Sequence, residues 1–221
     1  MSIKTKSVIA VAAMLALSVG YWASNIYNNT TATAADKKLA EARKNFSPIQ
    51  GAIISPARKI GIPALIKDNG ETLTLNDLTG NWHFLFFGYT NCPDICPVTM
   101  GVVAQAKKEA EAANQVFPEV FFISVDPDRD KIKALAEYVQ YFDKDFVGVT
   151  GDKNLLKALT LQLSVVYMDT PADKATGDYA VDHSSALLLI NPEGKLQAFF
   201  NPPHNPKTIL KDFQTVLNIK N

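Results

Sequence analysis

Trp82-His83-Phe84-Leu85-Phe86-Phe87 is an uninterrupted apolar run, the pattern of a strand covered on both faces. It breaks at Gly88, and the segment Gly88-Tyr89-Thr90-Asn91-Cys92-Pro93-Asp94-Ile95-Cys96-Pro97 that follows carries both cysteines of the chain. Val98 to Asn114 then has helical spacing and good helix formers. A strand this apolar belongs deep in a sheet, with a helix packed on it.

The rest of the chain repeats that alternation. Val120-Phe121-Phe122-Ile123-Ser124-Val125 reads as a second buried strand, followed by a helix over about 131–142. A short strand at Val147-Gly148-Val149, a helix over 153–163 and a strand at Val165-Val166-Tyr167-Met168 come next. Ser185 to Ile190 and Leu196 to Phe200 form a hairpin through the turn Asn191-Pro192-Glu193-Gly194. The last helix starts at Asn205-Pro206, a side-chain cap followed by proline at the first helical position, and runs to about Leu217. Upstream, Ala64-Leu65-Ile66-Lys67 and Thr72-Leu73-Thr74-Leu75 flank Asn69-Gly70, a strong hairpin signal. The expected fold over 49–221 is therefore α/β: a thioredoxin-like mixed central sheet flanked by helices, with an N-terminal hairpin.

From Ser7 to Ala35 no residue is charged, Lys4 and Lys6 precede the stretch, and Tyr21-Trp22 close its apolar part. About 18 apolar residues suffice for a membrane-spanning helix. A signal peptide cut after Ala32-Thr33-Ala34 is the competing reading, but that site lies far beyond the apolar run. Residues 1–28 are read as a single transmembrane anchor and 29–48 as a polar linker. The leading lysines stay in the cytoplasm, which puts the globular domain outside it. Without an Arg-rich, Ser-rich presequence, the expected location is a bacterial inner membrane with the domain in the periplasm.

Charge excludes other roles. With 22 basic and 22 acidic residues the formal net charge is zero, so nothing favours nucleic acid as a partner. In an oxidising compartment two cysteines tend to pair, but a bridge closing three intervening residues contributes little loop entropy. Chemistry explains the pair better. At a helix N-terminus both thiols are expected to ionise readily, and thiolates bind soft metals and exchange disulfides. The two-residue spacing of dithiol enzymes is replaced by three residues, which sets the sulfurs one helical turn apart and able to converge on one ion. Pro97 fits only the first helical turn, so Cys92 belongs to the loop and Cys96 to the helix start.

Two thiolates call for a third ligand. His183, in Asp182-His183-Ser184-Ser185, is expected on a loop at the edge of a strand beside the cysteine helix, although a lone histidine is more often a satisfied polar residue. His83 reads as core and His204 as a surface loop residue. Met100, one turn after Cys96, could offer a thioether but reads as core, and Asp94 reads as a turn former. Asp126, Asp128, Asp130 and Glu137 match calcium-loop positions, yet Lys131 replaces the required glycine. That stretch reads as a strand-to-helix turn with Asp130 as helix cap.

Three motifs in this order, Gly88 to Pro97, Ser124-Val125-Asp126-Pro127-Asp128-Arg129-Asp130, and Tyr179-Ala180-Val181-Asp182-His183-Ser184, resemble the Sco/SenC family. That family comprises membrane-tethered, thioredoxin-fold copper proteins involved in assembling cytochrome c oxidase. The resemblance spans about Ile53 to Asn218 and implies Cys92, Cys96 and His183 as copper ligands, holding Cu(I) and also Cu(II). Leu187 to Asn191 reads Leu-Leu-Leu-Ile-Asn where relatives usually carry an aromatic and an aspartate, which removes no ligand.

The implied function is a copper chaperone that passes one ion to the dinuclear copper centre of the oxidase subunit, supplied by an upstream copper donor or maintained by a thiol reductant. Such a carrier need not be an enzyme. The alternative is a thiol–disulfide oxidoreductase acting through Cys92 and Cys96 on the oxidase subunit, or a peroxide reductase.

Overall fold

The computed structural model describes residues 20–22, 49–170 and 179–218. The expected anchor and linker lie outside them, apart from a helical stretch at 20–22; no helix among the described residues is long and apolar enough to cross a membrane.

In chain order the domain contains β1 (Gly51–Lys59), β2 (Leu65–Lys67), β3 (Thr72–Leu73), a 3-10 turn (Leu75–Leu78), β4 (His83–Gly88), α1 (Ile95–Ala112), β5 (Glu119–Ser124), α2 (Ile132–Phe142), β6 (Val147–Thr150) and α3 (Lys153–Leu163). There follow β7 (Tyr167–Asp169), β8 (Val181–His183), β9 (Leu187–Ile190), β10 (Lys195–Phe200) and α4 (Pro206–Leu217). Eight strands form one sheet in the order β1-β10-β9-β4-β5-β6-β2-β3. β4, β5 and β6 are parallel and the remaining pairs antiparallel, so the expected mixed sheet is present. Its middle, β5-β4-β9-β10, is the thioredoxin-like core.

The apolar run behaves as its composition requires: every residue of β4 is buried. The parallel register sets Phe86 beside Phe122 and Gly88 beside Ser124. Phe84 and Phe86 share a face by the two-residue strand period. Phe84 packs edge-on against Phe200 at 5.4 Å and tilted against Phe213 of α4 at 6.2 Å, while Phe122 meets Tyr138 of α2 at 5.2 Å. With right-handed β-α-β crossovers, α1, α2 and α4 thus line one face of the sheet.

Local chemistry sets the element ends as read from sequence. Asn205 caps α4 by accepting from the Thr208 amide at 2.9 Å, with Pro206 at the first helical position. Gly70 (φ +86°) and Gly194 (φ +70°) occupy left-handed conformations in the two hairpin turns, where a side chain would be strained.

The structure differs from the sequence reading in four places. β1 was not foreseen: it joins β10 through a register shift between Ile53 and Arg58 and lacks clean alternation. β7 stays out of the main sheet and pairs only with β8. His183 consequently ends a strand, β8, rather than sitting on a loop. The second half of the proposed strand Thr72–Leu75 enters a 3-10 turn, because Asp77 accepts hydrogen bonds from the Thr74 amide and hydroxyl.

Candidate metal centre

Where β4 ends, the chain turns through Tyr89–Asp94 into α1, whose first residues are Ile95, Cys96 and Pro97. Cys92 therefore lies in the loop and Cys96 in the first helical turn, and Pro97 forgoes an amide hydrogen that has no intrahelical partner there. The Cys96 backbone N–H donates to Cys92 Sγ at 3.5 Å, so the positive helix end faces that sulfur. Both thiols are free; Cys92 is 9% exposed and Cys96 fully buried.

His183 reaches this pair from β8. Its Nε2 lies 3.2 Å from Cys96 Sγ and its Nδ1 lies 3.0 Å from the Ser184 carbonyl oxygen. A carbonyl only accepts, so Nδ1 carries the proton and Nε2 turns its lone pair to the sulfur. Tyr89 and Phe86 hold the ring edge-on at 6.0 and 6.1 Å. One ligand atom each of Cys92, Cys96 and His183 lies within 4.8 Å of the others, the one such cluster of metal-ligating side chains among the described residues. This is a soft-metal donor set: two sulfurs and a neutral imidazole of fixed tautomer.

The electrostatics correct one expectation. Burial pushes the Cys96 thiol far above its usual range, with the nearby Cys92 and Asp130 acting in the same direction. Desolvation outweighs the helix end at that sulfur, so Cys96 does not ionise readily. Burial also lowers His183, only partly opposed by the Ser184 carbonyl, and keeps the imidazole neutral.

Gly88 makes room for the site. A Cβ there would meet Cys96 Sγ at 2.7 Å and Phe122 Cε2 at 2.9 Å. Gly88→Ala should cost about 1–3 kcal/mol through overpacking and turn Cys96 away from its partners. Chemical denaturation reads the first effect, and metal titration the second.

The remaining candidates fall outside the cluster. Met100 is buried in the core and Asp94 is exposed at the helix cap without a side-chain capping bond. His83 is buried in β4 with Nε2 3.3 Å from a Glu119 carboxylate oxygen. His204 is half-buried rather than a surface loop residue, with Nε2 2.8 Å from the Ser185 carbonyl oxygen. All three histidines are lowered by burial. An unfolded chain takes up these protons near pH 6.5 and the folded one only at lower pH. Stability should fall as pH drops below 6.5, by at most about 1.4 kcal/mol per pH unit for each histidine, until the folded groups protonate. Melting temperatures between pH 7.5 and 5 test this, and a flat profile would refute it.

Asp130 does not cap α2; Lys131 holds that position. Asp130 is buried and accepts from the Thr90 amide at 2.8 Å, the Thr90 hydroxyl and the Ser124 hydroxyl at 2.6 Å. It ties the cysteine loop to the end of β5. The sequence signal for this was a dense set of carboxylates directly after a buried strand, at the sheet end where loops build sites. Asp128 pairs with Lys153 at the surface.

Residues 55–218 match the SCO1/SenC domain. Protein SCO1 homolog 1, mitochondrial, of Arabidopsis thaliana is 33% identical over 174 residues, 78% of this chain; the chain spans about half, 52%, of that protein's length. Protein SCO2 homolog, mitochondrial, of Homo sapiens is 30% identical over 194 residues, covering 87% of this chain and 71% of the human one. A crystal structure of Arabidopsis thaliana ScoI with copper bound aligns with a TM-score of 0.63 at 34% identity, over 69% of this chain and 94% of that one. With the domain match spanning well over half of its residues, the chain belongs to the SCO1/SenC family.

Proposed function

We propose that this protein carries one copper ion on Cys92, Cys96 and His183 and delivers it to the dinuclear copper centre of a cytochrome c oxidase subunit. The observation that carries the reading is the convergence of those three ligand atoms within 4.8 Å at the end of the sheet. A likeness at 34% identity to a protein solved with copper bound supports copper as the metal. Three soft donors suit Cu(I), and the same set accepts Cu(II). Fewer ligands than a closed structural cage leave a position through which an acceptor thiolate can enter, so the ion moves by ligand exchange. The exposed side chains of Ile95 and Val98 beside the cysteines offer an apolar approach for the acceptor.

In this reading residues 1–28 anchor the chain in a bacterial inner membrane, with the domain in the periplasm. The tether keeps donor and acceptor on one membrane and raises their effective concentration. Copper titration of the reduced full-length protein in detergent is the test. Tight binding of one ion per chain is expected; no binding with both thiols reduced would overturn the proposal.

One observation favours a second reading. A loop Cys92 sulfur facing an amide at a helix end, beside a fully buried Cys96 whose thiol burial makes weakly acidic, suits a dithiol reductant. Cys92 thiolate would attack an acceptor disulfide, and Cys96 would then displace the acceptor thiol. The protein would be left with a Cys92–Cys96 disulfide and the acceptor reduced by two electrons. A separate thiol reductant would have to reset the pair. Fast disulfide reduction without metal would select this reading.

A further inference from the structure

His183 is carried by a strand of three residues outside the main sheet, paired only with β7. Something else must fix its distance from the cysteines, and the turn between β5 and α2 makes the required contacts. At one end of that turn, Asp130 binds the Thr90 amide and hydroxyl two residues before Cys92. At the other, Arg129 Nη1 donates to the Tyr179 carbonyl at 2.9 Å, two residues before β8 begins. The guanidinium lies over the Tyr179 ring, 3.7 Å from its centre, and 5.5 Å from the centre of the Tyr89 ring. Asp126 completes the arrangement, accepting from Arg129 Nε and from the Tyr179 hydroxyl, the latter at 2.7 Å. Its carboxylate is buried, and the buried Arg129 Nη2 has no hydrogen-bond partner among the described residues. Tyr89 links both halves, its ring packing edge-on against that of His183 and lying beside the Arg129 guanidinium.

We propose that Arg129, with Asp126 and Tyr179, is a positioning group that holds His183 against the cysteine pair and so decides whether bound copper has two ligands or three. A planar, five-donor cation is required because one group must bond a carboxylate, bond a carbonyl and stack on aromatic faces at once. Lysine can supply the charge but not the fork. The inference rests on the three-ligand reading above, and it concerns geometry rather than stability alone.

The test uses the full-length protein in detergent with Arg129→Lys, Tyr179→Phe and His183→Ala, each loaded with one equivalent of Cu(II). The expected result is that the wild type shows imidazole nitrogen coupling in its electron paramagnetic resonance spectrum. Arg129→Lys should lose most of that coupling while keeping the sulfur-to-copper absorption, and millimolar imidazole should restore it. In the metal-free protein, amide exchange at residues 181–183 should speed up at least tenfold in the same variant. Tyr179→Phe removes only one hydroxyl donor and should give an intermediate loss; it carries the test should Arg129→Lys not fold. A folded Arg129→Lys, or in its place Tyr179→Phe, with the wild-type nitrogen coupling would overturn the positioning role and leave the ligand set intact. Unchanged coupling in His183→Ala would overturn the ligand set, and the positioning role with it.

Discussion

Replacing His183 by alanine should lower copper affinity by about 100-fold or more, roughly 3 kcal/mol, while leaving the fold in place. The imidazole is the one nitrogen donor of the cluster, and its Nε2 lies 3.2 Å from Cys96 Sγ with the other ring nitrogen fixed by the Ser184 carbonyl. Two thiolates alone still bind Cu(I), so residual binding is expected, whereas Cu(II), which prefers nitrogen in its shell, should be lost more completely. Disulfide exchange by Cys92 should stay within a few-fold, because the helix end that faces its sulfur is untouched. Competition with a calibrated Cu(I) chelator measures the first effect and reduction of a mixed-disulfide substrate the second. Retained affinity would remove the three-ligand site; loss of both activities would point to a collapsed loop.

Asp130→Ala should destabilise the domain by about 2–4 kcal/mol and weaken copper binding although residue 130 is no ligand. The carboxylate is buried and serves three donors, the Thr90 amide, the Thr90 hydroxyl and the Ser124 hydroxyl. Each donor left buried without an acceptor costs about 1–3 kcal/mol, less where a hydroxyl can rotate. The Thr90 amide cannot rotate, and it lies two residues from Cys92. Asp130→Asn should fall between, since an amide keeps one acceptor and faces the remaining donors with its own N–H. Urea denaturation followed by copper titration checks both parts. A stable Asp130→Ala with native affinity would show that the loop is held elsewhere.

What could be read from the residues divides along physical lines. β4, β5 and the helices announced themselves because burial on two faces or on one stripe imposes a period or a solid apolar run. The cysteine pair was legible from its place between such a strand and a helix. The gathering of His183 with that pair followed from the order of three motifs, since its own surroundings carry no distinctive pattern. β1 was missed because its register shifts between Ile53 and Arg58, which erases the alternation that marks a half-buried strand. Asp130 was misread as a cap because local chemistry permits one, while its actual partner, Thr90, is 40 residues away. His204 met the Ser185 carbonyl for the same reason: a contact between distant loops leaves no trace in either.

The two borders of the eight-stranded sheet bear on how this protein meets others. One border is β3, only two residues long, and the other is β1, where Pro56 offers no amide hydrogen and the pairing slips. Neither presents a long, regular row of free backbone donors and acceptors onto which a second chain could add a strand. A domain with such borders is protected from self-templated stacking at high local density. The cysteine sulfurs lie away from both borders, at the loop end of the sheet, so strand addition is not the route to them.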